Sequence, residues 1–422
     1  MNTSTGAPGV DEDSQPAASP APTDAGNKRG MLSAVGPTFI TAALMFGPGS
    51  ITLASAAGSR FGYQLLWVPI VATMLMIVFC DLAVRIGLGS GLGTHEVFRK
   101  RFGPVLAVVA ALTAFLVCSS FQAGNSMGTG IAASIAFPGD ARWYAVAFTL
   151  LGVAMVWARR FYPLLESTMT WVVVVMLAVF LVTMIISRPS AGAIAAGLIP
   201  SLPAGSQAIV VGMVATTFSV VGAMFQIQLV KQKGWTREDY VMARGGVVAG
   251  ILILGSLSLL VMVTAASVLS PAGVTVTSPA DLAGVLRPIG GDWAAWLFAI
   301  GLWGAAFTSM IGNGTIGGSM LSAAFGWGQG INTTRVKAAI TFVLILGGLV
   351  AVLYGKVPLE LITTAQAATI FGVPIIGVMM LVLARSKLLG NLRTSWPQFT
   401  VCCLGVAFLV YLAFTYAKGL LA

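Results

Sequence analysis

Long apolar stretches separated by short polar connections run through almost the whole chain. Eleven of them are about as long as a bilayer core requires, at roughly 35–58, 64–87, 104–135, 142–158, 168–187, 207–231, 243–268, 293–324, 336–354, 359–384 and 395–418. A chain crossing lipid must satisfy its backbone internally, so each stretch is predicted to be a helix. The fold class is therefore an all-α polytopic membrane protein of about 11 transmembrane helices. Two stretches carry breaks. The first, TAALMFGPGSITLASAAGSR at 41–60, is interrupted by Gly47-Pro48-Gly49-Ser50. Pro48 lacks a backbone donor and clashes with the preceding turn, and the glycines leave helical geometry cheaply. The second, QAIVVGMVATTFSVVGAMFQIQLVK at 207–231, carries Thr216, Thr217 and Ser219, whose hydroxyls compete for backbone groups, and then Gly222 as the relaxing residue.

A helix broken at membrane depth survives only where it is buried in protein or lines a wet cavity, and transporters place cargo at such breaks. The broken spans are the first and the sixth. That spacing predicts two inverted five-helix repeats, about 33–187 and 207–384, with an extra helix at about 395–418. Residues 1–30 are rich in Pro, Ala, Ser and Gly, with acids at Asp11, Glu12, Asp13 and Asp24, and are expected to form a disordered cytoplasmic tail. The transporter domain is expected to fill 31–422. In the connection 269–292, SPADLAGVLRPIGGDW is predicted to form a short amphipathic helix capped by Ser278.

Composition sharpens this picture. Of 422 residues, 57% are hydrophobic and 9% charged, against roughly 25% charged in soluble domains. The net charge of +10 suggests nucleic acid at first sight. Its distribution argues otherwise. With the N-terminus in the cytoplasm, 17 of the 23 Lys and Arg fall on that side, in clusters such as Arg99-Lys100-Arg101 and Arg159-Arg160. The excess is membrane anchorage, no nucleic-acid partner is expected, and the expected location is the plasma (inner) membrane.

Candidate chemistry is sparse. Cys80, Cys118, Cys402 and Cys403 all fall inside spans without metal-type spacing and read as packing residues. His95 is the only histidine, placed in the loop after span two. Asp81 is the one acid well inside a span, and Arg85 one turn later suggests a structural pair. Met45 and Met224 flank the breaks and read as packing. Large neutral amides are harder to assign to packing, because each must be satisfied in a dry environment. Gln122, Asn125, Asn313 and Gln366 are the candidates.

Several segments, in order over about 33–418, resemble the Nramp family of divalent-metal transporters. GPTFITAALMFGPGS is similar to that family's first helix, and FGYQLLWV with DLAVRIGLGSG to its second. SPADLAGVLRPIGGDWAAWLFAIGLWGAAFTSM is similar to its loop and eighth helix, and AQAATIFGVP to its tenth. The resemblance implies a leucine-transporter-like fold with eleven spans and a cytoplasmic N-terminus. The family's functional motifs are altered. Gly47-Pro48-Gly49-Ser50 stands in place of Asp-Pro-Gly-Asn, and Ser219, Val220 and Val221 in place of Met-Pro-His. Thr216 aligns with the family's carbonyl ligand, Gln122 and Asn125 with its third-helix acids, and Gln366 with the first tenth-helix glutamine, the second being Gly372.

These losses shape the expected function. A dehydrated divalent ion at bilayer depth needs oxygen or sulfur ligands and usually an anion. A neutral, roomy site suits a partly hydrated, magnesium-like ion better than manganese or iron. The expected substrate contacts are Gly47, Gly49, Ser50, Thr216, Ser219 and Gln366, with Ser50, Ser219 and Gln366 as metal ligands and Gln122, Asn125 and Asn313 along the pathway. With the acids replaced, no obligatory proton coupling is expected. The alternative is a transporter of a small organic or anionic solute seated on the Gly49 and Ser50 amides. A membrane-embedded sensor is a third reading, opposed by the absence of a soluble output domain. No phosphate-cradling loop with its lysine is present, so neither an enzyme nor a cofactor is expected.

Overall fold

The computed structural model describes residues 43, 45–158, 161–276, 279–354 and 372–421. The tail at 1–30, Ser278, Glu360 and Gln366 lie outside the described residues. Among those described, the chain is helical with no strand.

Helix α1 spans Pro48–Phe61, α2 Trp67–Ser90, α3 Thr94–Ala136, α4 Ala141–Trp157 and α5 Phe161–Ile186. After a short helix α6, Ala191–Gly197, come α7, Gln207–Thr217, and α8, Val220–Gln232. Then follow α9 (Tyr240–Val268), α10 (Pro279–Ala324), α11 (Thr334–Tyr354), α12 (Val373–Ala384) and α13 (Trp396–Leu421). Eight of the described helical segments are long and apolar enough to cross a membrane, counting α7 and α8 as one; α4 and α12 are shorter apolar helices. Bulky apolar side chains such as Leu116, Trp171, Leu353 and Phe414 face outward. That outward face suits lipid rather than water, because soluble proteins rarely expose large contiguous apolar patches.

Both interruptions are present, displaced from where the sequence suggests. The chain is helical at Met45, leaves the helix at Phe46 and Gly47, and resumes at Pro48. Gly47 is extended, with φ −116° and ψ 178°, so Pro48 is a first-turn residue and not the break itself. This is the helical position that tolerates a missing N–H and a fixed φ. The second break falls at Phe218 and Ser219, not at Gly222, which lies inside α8. Ser219 acts as N-cap, its hydroxyl oxygen accepting the Gly222 N–H at 3.1 Å.

Other expectations also shift. His95 belongs to the first turn of α3 rather than to a loop. The α3 helix bends at Gly103, φ 84°, just before Pro104. The helix expected before span eight runs on into it as α10, bent at Gly291, φ 70°. Only glycine takes such backbone angles without strain.

The core is organised around α10 packed along α3, with α1 against α9, α2 against α8 and α9, and α11 against α3, α4 and α10. One buried polar knot ties the periphery. Asp81 receives Arg85 Nε at 2.8 Å, the Tyr240 hydroxyl at 2.8 Å and the Gln398 amide. Arg244 lies 3.4 Å from the same carboxylate. The Asp81–Arg85 pair is thus structural, joining α2, α9 and α13. All four cysteines are free, and Met224 is fully buried.

Candidate functional site

Three segment ends converge on one cavity. The last turn of α7 brings Thr216 to it, the capped start of α8 brings Ser219, and the start of α1 brings Gly49 and Ser50. In α1 the first backbone bond after the break runs from Ile51 N–H to the Gly47 carbonyl at 3.2 Å. The Gly49 and Ser50 amides precede it and have no acceptor within the helix. The last carbonyls of α7 are likewise left over at its end. Backbone donors and acceptors therefore face one space.

That space, about 510 Å³ counting the part open to solvent, is lined by Met45, Gly47, Gly49, Ser50, Thr216, Ser219 and Gly222 from the breaks. Helix α3 adds Val117, Cys118, Phe121 and Asn125, and α10 adds Ser309, Asn313 and Ile316. Of the sequence candidates, Gly47, Gly49, Ser50, Thr216, Ser219, Asn125 and Asn313 are brought together. Gln122 is not among the lining residues. It is fully buried behind Asn125, donating to the Met310 carbonyl at 3.0 Å and accepting from Asn125 Nδ2 at 3.0 Å.

Hydrogen placement gives the wall its character. The Thr216 hydroxyl donates to the Met213 carbonyl at 3.0 Å, and the Ser309 hydroxyl to the Ala43 carbonyl at 3.3 Å. Their lone pairs remain for other partners. No acidic or basic side chain occurs among the described lining residues. No group of three His, Cys, Asp or Glu suited to a metal occurs among the described residues. Ser309 was missed as a site residue because span eight is crowded with hydroxyls. Its spacing of four from Asn313, which puts both on one helical face, was the available signal. Met45, read as packing, does pack on Gly222 but also lines the cavity.

The profile described as "Natural resistance-associated macrophage protein-like" (Nramp) matches residues 38–417, nearly all of the membrane domain. The chain belongs to the Nramp family. A protein named divalent metal cation transporter MntH from Deinococcus radiodurans is 26% identical over 392 residues, covering 88% of this chain and 86% of the relative. The protein of the same name from Chromohalobacter salexigens is 25% identical over 400 residues, with 91% of each covered. Among solved structures, the Eremococcus coleocola manganese transporter bound to an aromatic bis-isothiourea compound superposes with a TM-score of 0.72 at 20% identity, covering 91% of this chain and 85% of that one. Mhp1, a nucleobase-cation-symport-1 family transporter in a closed conformation with bromovinylhydantoin bound, superposes with a TM-score of 0.64 at 13% identity, covering 92% and 93%. At such identities the structures establish the fold, the leucine-transporter-like arrangement expected above. As an Nramp-family protein the chain is a membrane transporter and not an enzyme.

Proposed function

We propose that this Nramp-family protein moves a divalent metal cation by alternating access, carrying it partly hydrated in an uncharged oxygen cage. The observation that carries the reading is the cavity between the two helix breaks. It combines leftover backbone groups with neutral oxygens of Ser50, Thr216, Ser219, Asn125, Ser309 and Asn313, with no carboxylate among its described lining residues. Relatives named as divalent metal cation transporters favour a cation. The missing carboxylate favours an ion that keeps part of its water, as magnesium does, over a tightly caged manganese or iron. The cavity has room for only a few water-sized groups, so an ion seated there keeps part of its shell and takes the rest of its oxygens from the wall. The rocking unit is one five-helix repeat against the other. The charge asymmetry supports a cytoplasmic N-terminus in the inner membrane.

The α3 amides Gln122 and Asn125 hydrogen-bond to each other. Neither takes up a proton near neutral pH, so transport proceeds without obligatory proton coupling. Flux into proteoliposomes with a panel of divalent ions and an internal pH dye tests both statements. The expected result is Mg²⁺ uptake without acidification. Acidification in step with metal uptake contradicts the uncoupled mechanism, and indifference to every divalent ion contradicts the cation reading. A second reading, a small organic anion held by the Gly49 and Ser50 amides, rests on their position ahead of the first α1 hydrogen bond. Uptake of small carboxylates in the same vesicles, without metal uptake, would favour it.

A further inference from the structure

The amide of Asn125 has its polarity set by partners outside the cavity. Met310 contributes a main-chain carbonyl, which only accepts. The Gln122 side chain reaching it at 3.0 Å must therefore turn its NH₂ toward α10. The Gln122 oxygen then faces Asn125 and accepts from its Nδ2 at 3.0 Å. This leaves the Asn125 oxygen, and not its NH₂, on the cavity side. Gln122 is fully buried, and α10 backs it closely, its Nε2 lying 3.5 Å from where a Cβ on Gly314 would stand. The Asn125 amide is thereby held in one of its two flips.

The oxygen so presented occupies a telling place. A Cβ built on Gly47 would stand 3.2 Å from Asn125 Oδ1 and 3.0 Å from Ser309 Oγ. Ser309 has its own hydrogen engaged with the Ala43 carbonyl, so it too presents lone pairs. Two acceptor oxygens from α3 and α10 thus sit where a side chain on Gly47 would begin.

We propose that Asn125 contacts the cargo directly, its oxygen acting with Ser309 as the cation-facing pair that stands in for a side chain at position 47, and that Gln122 is the positioning residue that keeps this oxygen inward. The ligand class is a hard divalent cation or a water bound to one, and the inference rests on the cation reading above. An inward-facing acceptor pair attracts a cation and repels a carboxylate, so the same two residues discriminate against an anionic solute.

The test uses the purified full-length protein in nanodiscs, titrated with MgCl₂ or MnCl₂, with binding read by calorimetry and by the shift in melting temperature. Wild type is expected to bind and be stabilised. Asn125→Leu, close in size but without the oxygen, is expected to weaken binding at least tenfold. Asn125→Asp, which keeps the oxygen and adds charge, is expected to tighten it about tenfold, and serves if the leucine variant does not fold. Gln122→Leu is expected to weaken binding severalfold in the wild-type background and to add nothing in the Asn125→Leu background. A purely structural Gln122 would lower affinity equally in both. Unchanged affinity in a folded Asn125→Leu or Asn125→Asp variant overturns the inference while leaving the cation reading standing. No response of wild type to either ion overturns the cation reading and this inference with it.

Discussion

Gly58 and Met262 meet so closely that a Cβ on Gly58 would stand 2.5 Å from the Met262 carbonyl oxygen. The neighbouring Ala265 and Ala266 are also within 3 Å of that point, so α1 lies directly on the backbone of α9. Small residues allow helices to approach this closely where lipid supplies no hydrophobic drive between them. Gly58→Ala is expected to cost about 1–3 kcal/mol through overpacking, because a backbone cannot yield as a side chain can. Gly245→Ala on the exposed face of the same α9, with open space around it, is the control, expected to be neutral or slightly stabilising. Melting temperatures of the two variants in one detergent check this; equal values would show that the α1–α9 seam is looser than described.

The Asp81 knot makes a second prediction. The carboxylate is 3% exposed and answers three donors on α2, α9 and α13. Asp81→Asn removes the buried charge that the part-buried Arg85 answers, an effect approaching the about 3–5 kcal/mol seen when one member of a buried pair is removed. Tyr240→Phe removes one hydrogen bond and is expected to cost nearer 1 kcal/mol. Detergent-denaturation midpoints should rank wild type above Tyr240→Phe above Asp81→Asn. The reverse order for the two variants would mean that Tyr240, not the carboxylate, centres the knot.

Ser219 is a cap before it is anything else. Ser219→Ala removes the acceptor for the Gly222 N–H and is expected to cost about 1 kcal/mol. Ser219→Asp keeps an acceptor and adds a charge that suits a helix start, so its stability should match wild type or exceed it. Thermal unfolding without added metal isolates this contribution. An alanine variant as stable as the aspartate variant would show that the α8 start does not depend on its cap.

Restoring an acidic residue at the first break is expected to be costly on its own. Gly47 has an ordinary negative φ, so the backbone accepts a side chain. The obstacle is Ser309 Oγ at 3.0 Å and Ser309 Cβ at 3.2 Å from the new Cβ. Gly47→Asp is expected to lose about 1–3 kcal/mol. Combining it with Ser309→Gly should recover most of that loss and bind Mn²⁺ more tightly than wild type in a calorimetric titration. A single variant as stable as wild type would show that the wall at Ser309 gives way freely.

Much of the architecture was readable before any coordinates, because a run of apolar residues in lipid has one economical conformation. Both breaks were visible for the same reason: Pro48, Ser219 and the glycines are poor helix interiors. Their exact positions differ from the sequence reading because Pro48 belongs to the first turn of α1 and Gly222 to the interior of α8, so neither is itself unwound. The unwound positions, Phe46 with Gly47 and Phe218 with Ser219, include two phenylalanines that carry no breaking signal of their own. The site was partly readable, since polar groups in the spans are few. Which of them face the cavity depends on how α1 lies against α3 and α10. That packing turns Asn125 to the cavity and leaves Gln122 hydrogen-bonded behind it, and the four-residue spacing of Ser309 and Asn313 is its one local trace. His95 joined the α3 helix because Glu96 answers the Gly93 N–H at 2.9 Å, a capping contact formed only once the chain has turned.

The uncharged wall around the cavity also sets how the membrane potential acts. With no fixed negative group among the described lining residues, a doubly charged passenger in the proposed mechanism carries its whole charge through the field, and the empty carrier returns carrying none. At about 2.3 kcal/mol per elementary charge per 100 mV, an inside-negative voltage biases only the loaded step, by about 4.6 kcal/mol per 100 mV for inward passage. Under the proposed uncoupled mechanism, the energised bilayer would drive accumulation without a second ion running down its own gradient.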